Sequence, residues 1–210
     1  GHNANWLEGL FASHPPSTQR VEQNRLLAQQ LGVHGELDAE RFKTRMATLL
    51  RDKPAYDAYD AAVKALGEKD FKKAQGSIEQ AIQSEPREPL FQGFQGLLAL
   101  QQSRPSEALT DYQHALSMDA GYYQYYVGAG LAAKALNHND QAAQYLEKSI
   151  TLLPTATAHN ALGELALARG DRERAVAHLR VAAQSDSAVG KQARETLLRM
   201  GVPVNAPPKG

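Results

Sequence analysis

The stretch that decides the fold is Ala161-Leu162-Gly163-Glu164-Leu165-Ala166-Leu167-Ala168-Arg169-Gly170-Asp171-Arg172-Glu173-Arg174-Ala175. It reads as two helices joined by a tight turn. Gly170 can take the left-handed position that ends the first helix, and the Asp171 side chain can cap the second. Gly163 and Ala175 are small enough to let the two helices approach closely. Reading back from Ala175, alanine recurs at Ala142, Ala108 and Ala74, at intervals of 33, 34 and 34 residues. Seven residues after each stands another small residue: Ala81, Ala115, Ser149 and Ala182. A larger apolar residue lies between, at Ile78, Tyr112, Leu146 and Leu179. The first helix of each unit carries its own small residue at Ala62, Gly96, Gly130 and Gly163. Proline closes two units, at Pro86 and Pro154, where the others have Ala120 and Ser187.

One such hairpin cannot bury its apolar face alone, so consecutive hairpins must stack. A period of about 34 residues with this pattern resembles the tetratricopeptide repeat (TPR) family. The resemblance covers residues 55–187, and the family's signature Trp is absent from every first helix, so the repeats are degenerate. It implies an all-α solenoid of about four helical hairpins over residues 54–187, whose first helices line a concave face that holds peptides or partner proteins. Projecting the period onto that face selects Tyr56, Tyr59 and Val63 from the first unit and Leu97 and Gln101 from the second. The third supplies Gln124, Val127, Leu131 and Lys134, and the fourth Asn160 and Glu164. This surface mixes aromatic, aliphatic and amide groups. It lacks a dense lysine–asparagine constellation of the kind that clamps a C-terminal carboxylate, so an internal segment, an unfolded chain or a folded partner is expected. Tyr122, Tyr123, Tyr125 and Tyr126 cannot all point inward on one helix; some are expected to be core and the others contact surface.

The flanks read as helical too. Residues 188–201, with Ala188, Ala193, Leu197 and Leu198, form a capping helix, and the tail from Val202 carries Pro203, Pro207 and Pro208 and is expected to be loose. Upstream, Phe42, Met46, Leu49 and Leu50 form one apolar helical stripe, expected in a linker helix over 37–53 that precedes Pro54 and packs on the first repeat. Another helix is expected from Ser17 to Leu31, before Gly32 and Gly35.

Lys and Arg number 23, as do Asp and Glu, which argues against a nucleic-acid surface or an anionic membrane. Without cysteine there are no disulfides or thiolate metal sites. No apolar run approaches the roughly 18–20 residues that a membrane span needs. No signal peptide pattern is present, and the opening Gly1-His2-Asn3 reads as the middle of a longer protein.

The first segment sharpens that reading. Trp6-Leu7-Glu8-Gly9-Leu10-Phe11-Ala12-Ser13-His14-Pro15-Pro16-Ser17, followed by Arg20, resembles the end of the protease domain in bacterial envelope zinc metallopeptidases related to BepA and HtpX. In that family a Ser or Thr followed by His-Pro, then an Arg, lies downstream of a zinc-binding HExxH helix, and a TPR region follows in the BepA-like branch. The resemblance implies that residues 1–36 are the remnant of a metallopeptidase-type domain and its linking helix. It further implies that zinc sits in a protease domain absent from this chain, and that the setting is periplasmic, with a role in outer-membrane protein quality control. His14, on the bend that Pro15 imposes, is expected to act as an auxiliary or inhibitory zinc ligand in the intact protein. The chain itself has no HExxH: His159 to Glu164 reads HNALGE, with no second histidine, and is expected to serve the scaffold. No catalytic residue and no cofactor is expected here. The competing reading is a free-standing TPR adaptor or co-chaperone; an unrecognised catalytic role of the chain's own is a weaker third.

Overall fold

The computed structural model describes residues 22, 25–27, 29–30 and 39–203. His14 and the apolar segment around Trp6 lie outside the described residues, as does the tail from 204. Among the described residues every regular element is an α-helix. They run as α1 (Ala39–Gly67), α2 (Phe71–Ser84), α3 (Pro89–Gln101), α4 (Pro105–Met118), α5 (Tyr123–Ala135), α6 (Asn139–Leu152), α7 (Ala156–Ala168), α8 (Arg172–Ala182) and α9 (Ala188–Arg199). The described positions between 22 and 30 are helical, as expected for that stretch. The chain divides into two units, 1–47 and 48–210, with the division inside α1. All four hairpins belong to the second unit. The helix expected before Pro54 and the first helix of the first repeat are one continuous α1, with Pro54 inside it. Phe42 and Leu50 of the expected apolar stripe are exposed, at 66% and 62%.

The hairpins close as the small residues require. Ala74, Ala108, Ala142 and Ala175 are fully buried, and so are Ala81, Ala115, Ser149 and Ala182. The larger residue between each pair is seated against the small residue of its own hairpin's first helix. A Cβ added to Gly130 would lie 2.6 Å from Leu146 Cγ, and one on Gly163 would lie 2.7 Å from Leu179 Cγ. On Gly96 it would meet the Tyr112 ring at 3.0 Å. Ala62 and Ile78 play these parts in the first hairpin, within one apolar cluster. Close backbone approach and the filled groove beside it are thus one device, repeated four times.

The turn inside each hairpin is equally regular. Gly170 has φ +76°, as its sequence context predicted. At the equivalent places stand Lys69, Ser103 and Asn137, with φ of 60°, 58° and 60°. Each of the four donates its N–H three residues back: Lys69 to Leu66, Ser103 to Leu100, Asn137 to Lys134 and Gly170 to Leu167, at 3.0 Å. The next residue donates five back, as Asp70 to Ala65 and Asp171 to Ala166 do at 2.9 Å. This pair of bonds satisfies carbonyls that a helix end otherwise leaves open. Asp171 accepts from Arg174 N at 3.1 Å and Asp70 from Lys73 N at 3.0 Å, so the predicted cap is present.

The last repeat is covered by α9, where Ala193 and Leu197 are fully buried beside Leu179, Ala182 and Ala183. Ala188 and Leu198 do not share this contact; Leu198 is 64% exposed. With 3.6 residues per turn, consecutive Leu197 and Leu198 point about 100° apart, so only one can face the core.

Candidate functional site

The first helices of the hairpins, α1, α3, α5 and α7, line an open groove of about 370 Å³. Its walls include Tyr59, Phe94, Leu97, Leu100, Val127 and Leu131, with Tyr122, Tyr123 and Gln124 at one end and Thr155 and Thr157 at the other helix start. No Asp, Glu, Lys or Arg lines it. Five residues expected on the binding face meet here: Tyr59, Leu97, Gln124, Val127 and Leu131. Leu90, Phe94, Leu100, Tyr122, Tyr123 and Tyr125 are among the wall residues that the projected register omitted. Phe94 lies one turn before Leu97, so a wider stripe on the same helix face would have included it.

Glycine shapes the floor. A Cβ on Gly93 would lie 2.4 Å from Tyr125 Cε1, and one on Gly128 would lie 2.1 Å from Tyr112 Cζ. Both tyrosines are 5% exposed and pack where the facing helix has only glycine backbone. Tyr59 packs on Phe91, with ring centroids 5.5 Å apart, and edge-on to Phe94 at 5.4 Å. Tyr122 meets Tyr125 edge-on at 4.9 Å. Such edge and offset contacts suit the ring quadrupoles and hold the aromatic wall rigid. Burial pushes the Tyr59, Tyr112 and Tyr125 phenols up, so they remain protonated donors at neutral pH. The Tyr59 and Tyr125 hydroxyls have no hydrogen-bond partner among the described residues. Of the four clustered tyrosines, Tyr125 is core and the other three are partly exposed.

The remaining expected residues do not line this groove. The Tyr56 hydroxyl donates to Glu88 Oε2 at 2.6 Å, which, with burial, pushes that phenol up to about 12. Its side chain is thereby committed to tying α1 to the cap of α3. Val63 and Gln101 line a separate shallow depression with Leu66, Lys69 and Phe71. Lys134, Asn160 and Glu164 form a polar cluster: Lys134 Nζ donates to Glu164 Oε2 at 2.6 Å, and Asn160 Nδ2 to Glu164 Oε1 at 2.9 Å. The physical reason for the split is charge pairing: Lys134 and Glu164 neutralise each other across α5 and α7 instead of standing free.

His159, the eye-catching residue of HNALGE, has Nδ1 3.0 Å from Nδ1 of His178 on α8. One imidazole must donate and the other accept, which requires that at least one ring be neutral. Burial lowers the pKa of both; proximity of His178 adds to this at His159, and Arg174 adds to it at His178 against an opposing pull from Glu147. The pair fastens one helix of the fourth hairpin to the other, the scaffold role expected for this segment. Among the described residues no group of three or more His, Asp or Glu could hold a metal ion. Among the same residues no helix is long and apolar enough to cross a membrane.

A solenoid of four helical hairpins with an aromatic groove along its first helices defines a protein–protein interaction scaffold. The chain belongs to the tetratricopeptide repeat family, whose model matches residues 59–123 and 127–189. Solved structures of the same fold include MamA, 16% identical, covering 80% of this chain and 99% of its own, with a TM-score of 0.57. The first TPR of Spaghetti (RPAP3), bound to the HSP90 peptide SRMEEVD, is 18% identical over 57% of this chain and 95% of its own, with a TM-score of 0.55. The Arabidopsis OM64 TPR domain is 19% identical over 56% of this chain and 98% of its own, also at 0.55. At these identities the likeness is one of fold alone. No curated protein matches the sequence.

Proposed function

We propose that the groove along α1, α3, α5 and α7 holds an extended, uncharged stretch of a partner or substrate chain. The observation that carries this is the wall itself: aromatic and aliphatic side chains with protonated tyrosine hydroxyls and no charge. Apolar surface supplies affinity to side chains of the bound segment, while unpartnered hydroxyls can donate to its backbone carbonyls. The RPAP3 relative binds an acidic HSP90 peptide. That chemistry calls for cations, and none lines this groove. Leu97, 37% exposed on the wall, is the place to test it. Leu97→Asp is expected to weaken binding about tenfold or more to the best uncharged 12-residue peptide selected from a peptide array. Val181→Asp, at an exposed site on α8, should leave it unchanged. Array binding that tracks peptide charge, or a Leu97→Asp protein that binds normally, removes this reading.

The groove's place in a larger protein rests on a different observation, the Ser13-His14-Pro15 segment followed by Arg20. This supports a TPR region that recruits partners or misfolded envelope proteins to a periplasmic zinc metallopeptidase domain encoded upstream, with His14 near its zinc. The same groove could serve a free-standing adaptor or co-chaperone. Reading the coding sequence before Asn3 separates them: an HExxH helix is expected, and a start codon there would leave the adaptor.

A further inference from the structure

The same helix face carries an acid that is already bound. Glu164 of α7 receives Lys134 Nζ from α5 at Oε2, at 2.6 Å. At Oε1 it receives Asn160 Nδ2 from one turn earlier and Gln192 Nε2 from α9, each at 2.9 Å. Three donors from three helices thus converge on one carboxylate. Asn160 is only 6% exposed, and its Oδ1 has no partner. Turning the amide over would set that oxygen against the Glu164 oxygens, acceptor to acceptor, so the carboxylate dictates its orientation. The amide nitrogen is thus held towards the carboxylate, with the oxygen unpartnered among the described residues.

The site is continuous with the groove. Leu131 and Lys134 are three apart on α5, as are Thr157 and Asn160 on α7, and residues three apart share a helix face. Leu131 and Thr157 both line the groove. The Lys134 and Glu164 side chains are 33% and 27% exposed, so a ligand arriving along the groove can reach them.

We propose that Glu164 is a built-in occupant of a carboxylate-binding cage, and that by filling it Glu164 determines which segments the groove accepts. This rests on the reading of the groove as the binding face. A ligand carrying a free carboxylate, at its C-terminus or on an acidic side chain, meets a cage whose donors and cation are engaged and whose resident charge repels it. Displacing Glu164 only exchanges one carboxylate for another and leaves the displaced one without its lysine. An uncharged internal segment encounters no such opposition. Specificity against chain ends is in this way written as a repulsive element beside an apolar wall.

The test uses the labelled peptide Gly-Ser-Ala-Leu-Gly-Val-Asp with a free C-terminus, the same peptide ending in Asn with an amidated C-terminus, and fluorescence anisotropy at low and moderate salt. Wild-type protein is expected to show no preference for the acid-ended peptide. Glu164→Gln keeps the side-chain shape, removes the charge that neutralises Lys134, and should prefer the acid-ended peptide by about tenfold at low salt, a gain that shrinks as salt rises. Adding Lys134→Met should abolish that gain. Lys134→Met alone leaves Glu164 without its cation and should shift preference towards a Lys-ended, amidated version, which tests the cage even if Glu164→Gln folds poorly. A folded Glu164→Gln protein without the preference, or wild-type protein that already has it, overturns the proposal; so does a Lys134→Met protein indifferent to the Lys-ended peptide. The difference between acid and amide peptides reports on the cage. The amide peptide's own binding, and its response to Leu97→Asp, reports on the groove, so the two can fail separately.

Discussion

Gly128→Ala is expected to destabilise the array by about 1–3 kcal/mol, although alanine is the better helix former. The added Cβ would stand 2.1 Å from Tyr112 Cζ and within 2.5 Å of both Cε atoms, inside the ring's own volume. Tyr112 has little room to step aside, because it is 5% exposed and also packs where α3 has only the backbone of Gly96. The ring is a spacer between two hairpins, 5% exposed and seated on bare backbone on both flanks. Truncating it in Tyr112→Ala should cost about 3–5 kcal/mol through lost burial and the cavity left behind. The double variant decides the mechanism. With the ring gone the methyl group has room, so Gly128→Ala should cost nothing further and can recover part of the loss. Urea midpoints at unchanged slope would show this strong non-additivity. Simple addition of the two single effects would mean that Gly128 matters for a reason other than the ring.

Phe91→Ala is the second large effect, with an expected cost of about 3–5 kcal/mol. Phe91 is fully buried on α3, with Tyr56 edge-on at 5.2 Å and Tyr59 stacked at 5.5 Å. Removing the ring opens a cavity and takes away the support of Tyr59 in the groove wall. Peptide binding should therefore fall together with stability, whereas Phe91→Leu should lose less of both. Tyr59→Ala, on the partly exposed partner, should weaken binding while costing much less in stability. Equal stability losses at the two positions, measured by urea unfolding, would show that the stack is not anchored at Phe91.

The groove was partly legible in the sequence. The period placed Tyr59, Leu97, Gln124, Val127 and Leu131 on one surface, and they do meet in the groove. Tyr56 shares that helix and that periodicity, yet Glu88 captures its hydroxyl from 32 residues away. Nothing near Tyr56 in the chain announces that partner. The repeat period presents Lys134 and Glu164 as separate contact residues, and their neutralisation of each other, across 30 residues, emerges only when α5 and α7 lie side by side. His159 and His178 are 19 residues apart and show no motif. The left-handed turn was visible at Gly170 because glycine favours it. At Lys69 and Ser103 the same conformation was hidden, since two backbone hydrogen bonds impose it on residues that do not prefer it, whereas Asn137 adopts it more readily.

What the sequence determined by itself is the hairpin and its repetition. Small residues at Ala62, Gly96, Gly130 and Gly163, matched to Ile78, Tyr112, Leu146 and Leu179, allow close approach at one period only, and one unit's apolar face needs the next. The tertiary structure alone decided which groups stay free in the groove and which are already engaged. Hydrogen bonds and ion pairs depend on distances of a few tenths of an ångström between different helices, and those distances follow from how the rotation of each helix is set by its packing. Spacing along the chain carries the period; it does not carry the convergence of Lys134, Asn160 and Gln192 on Glu164.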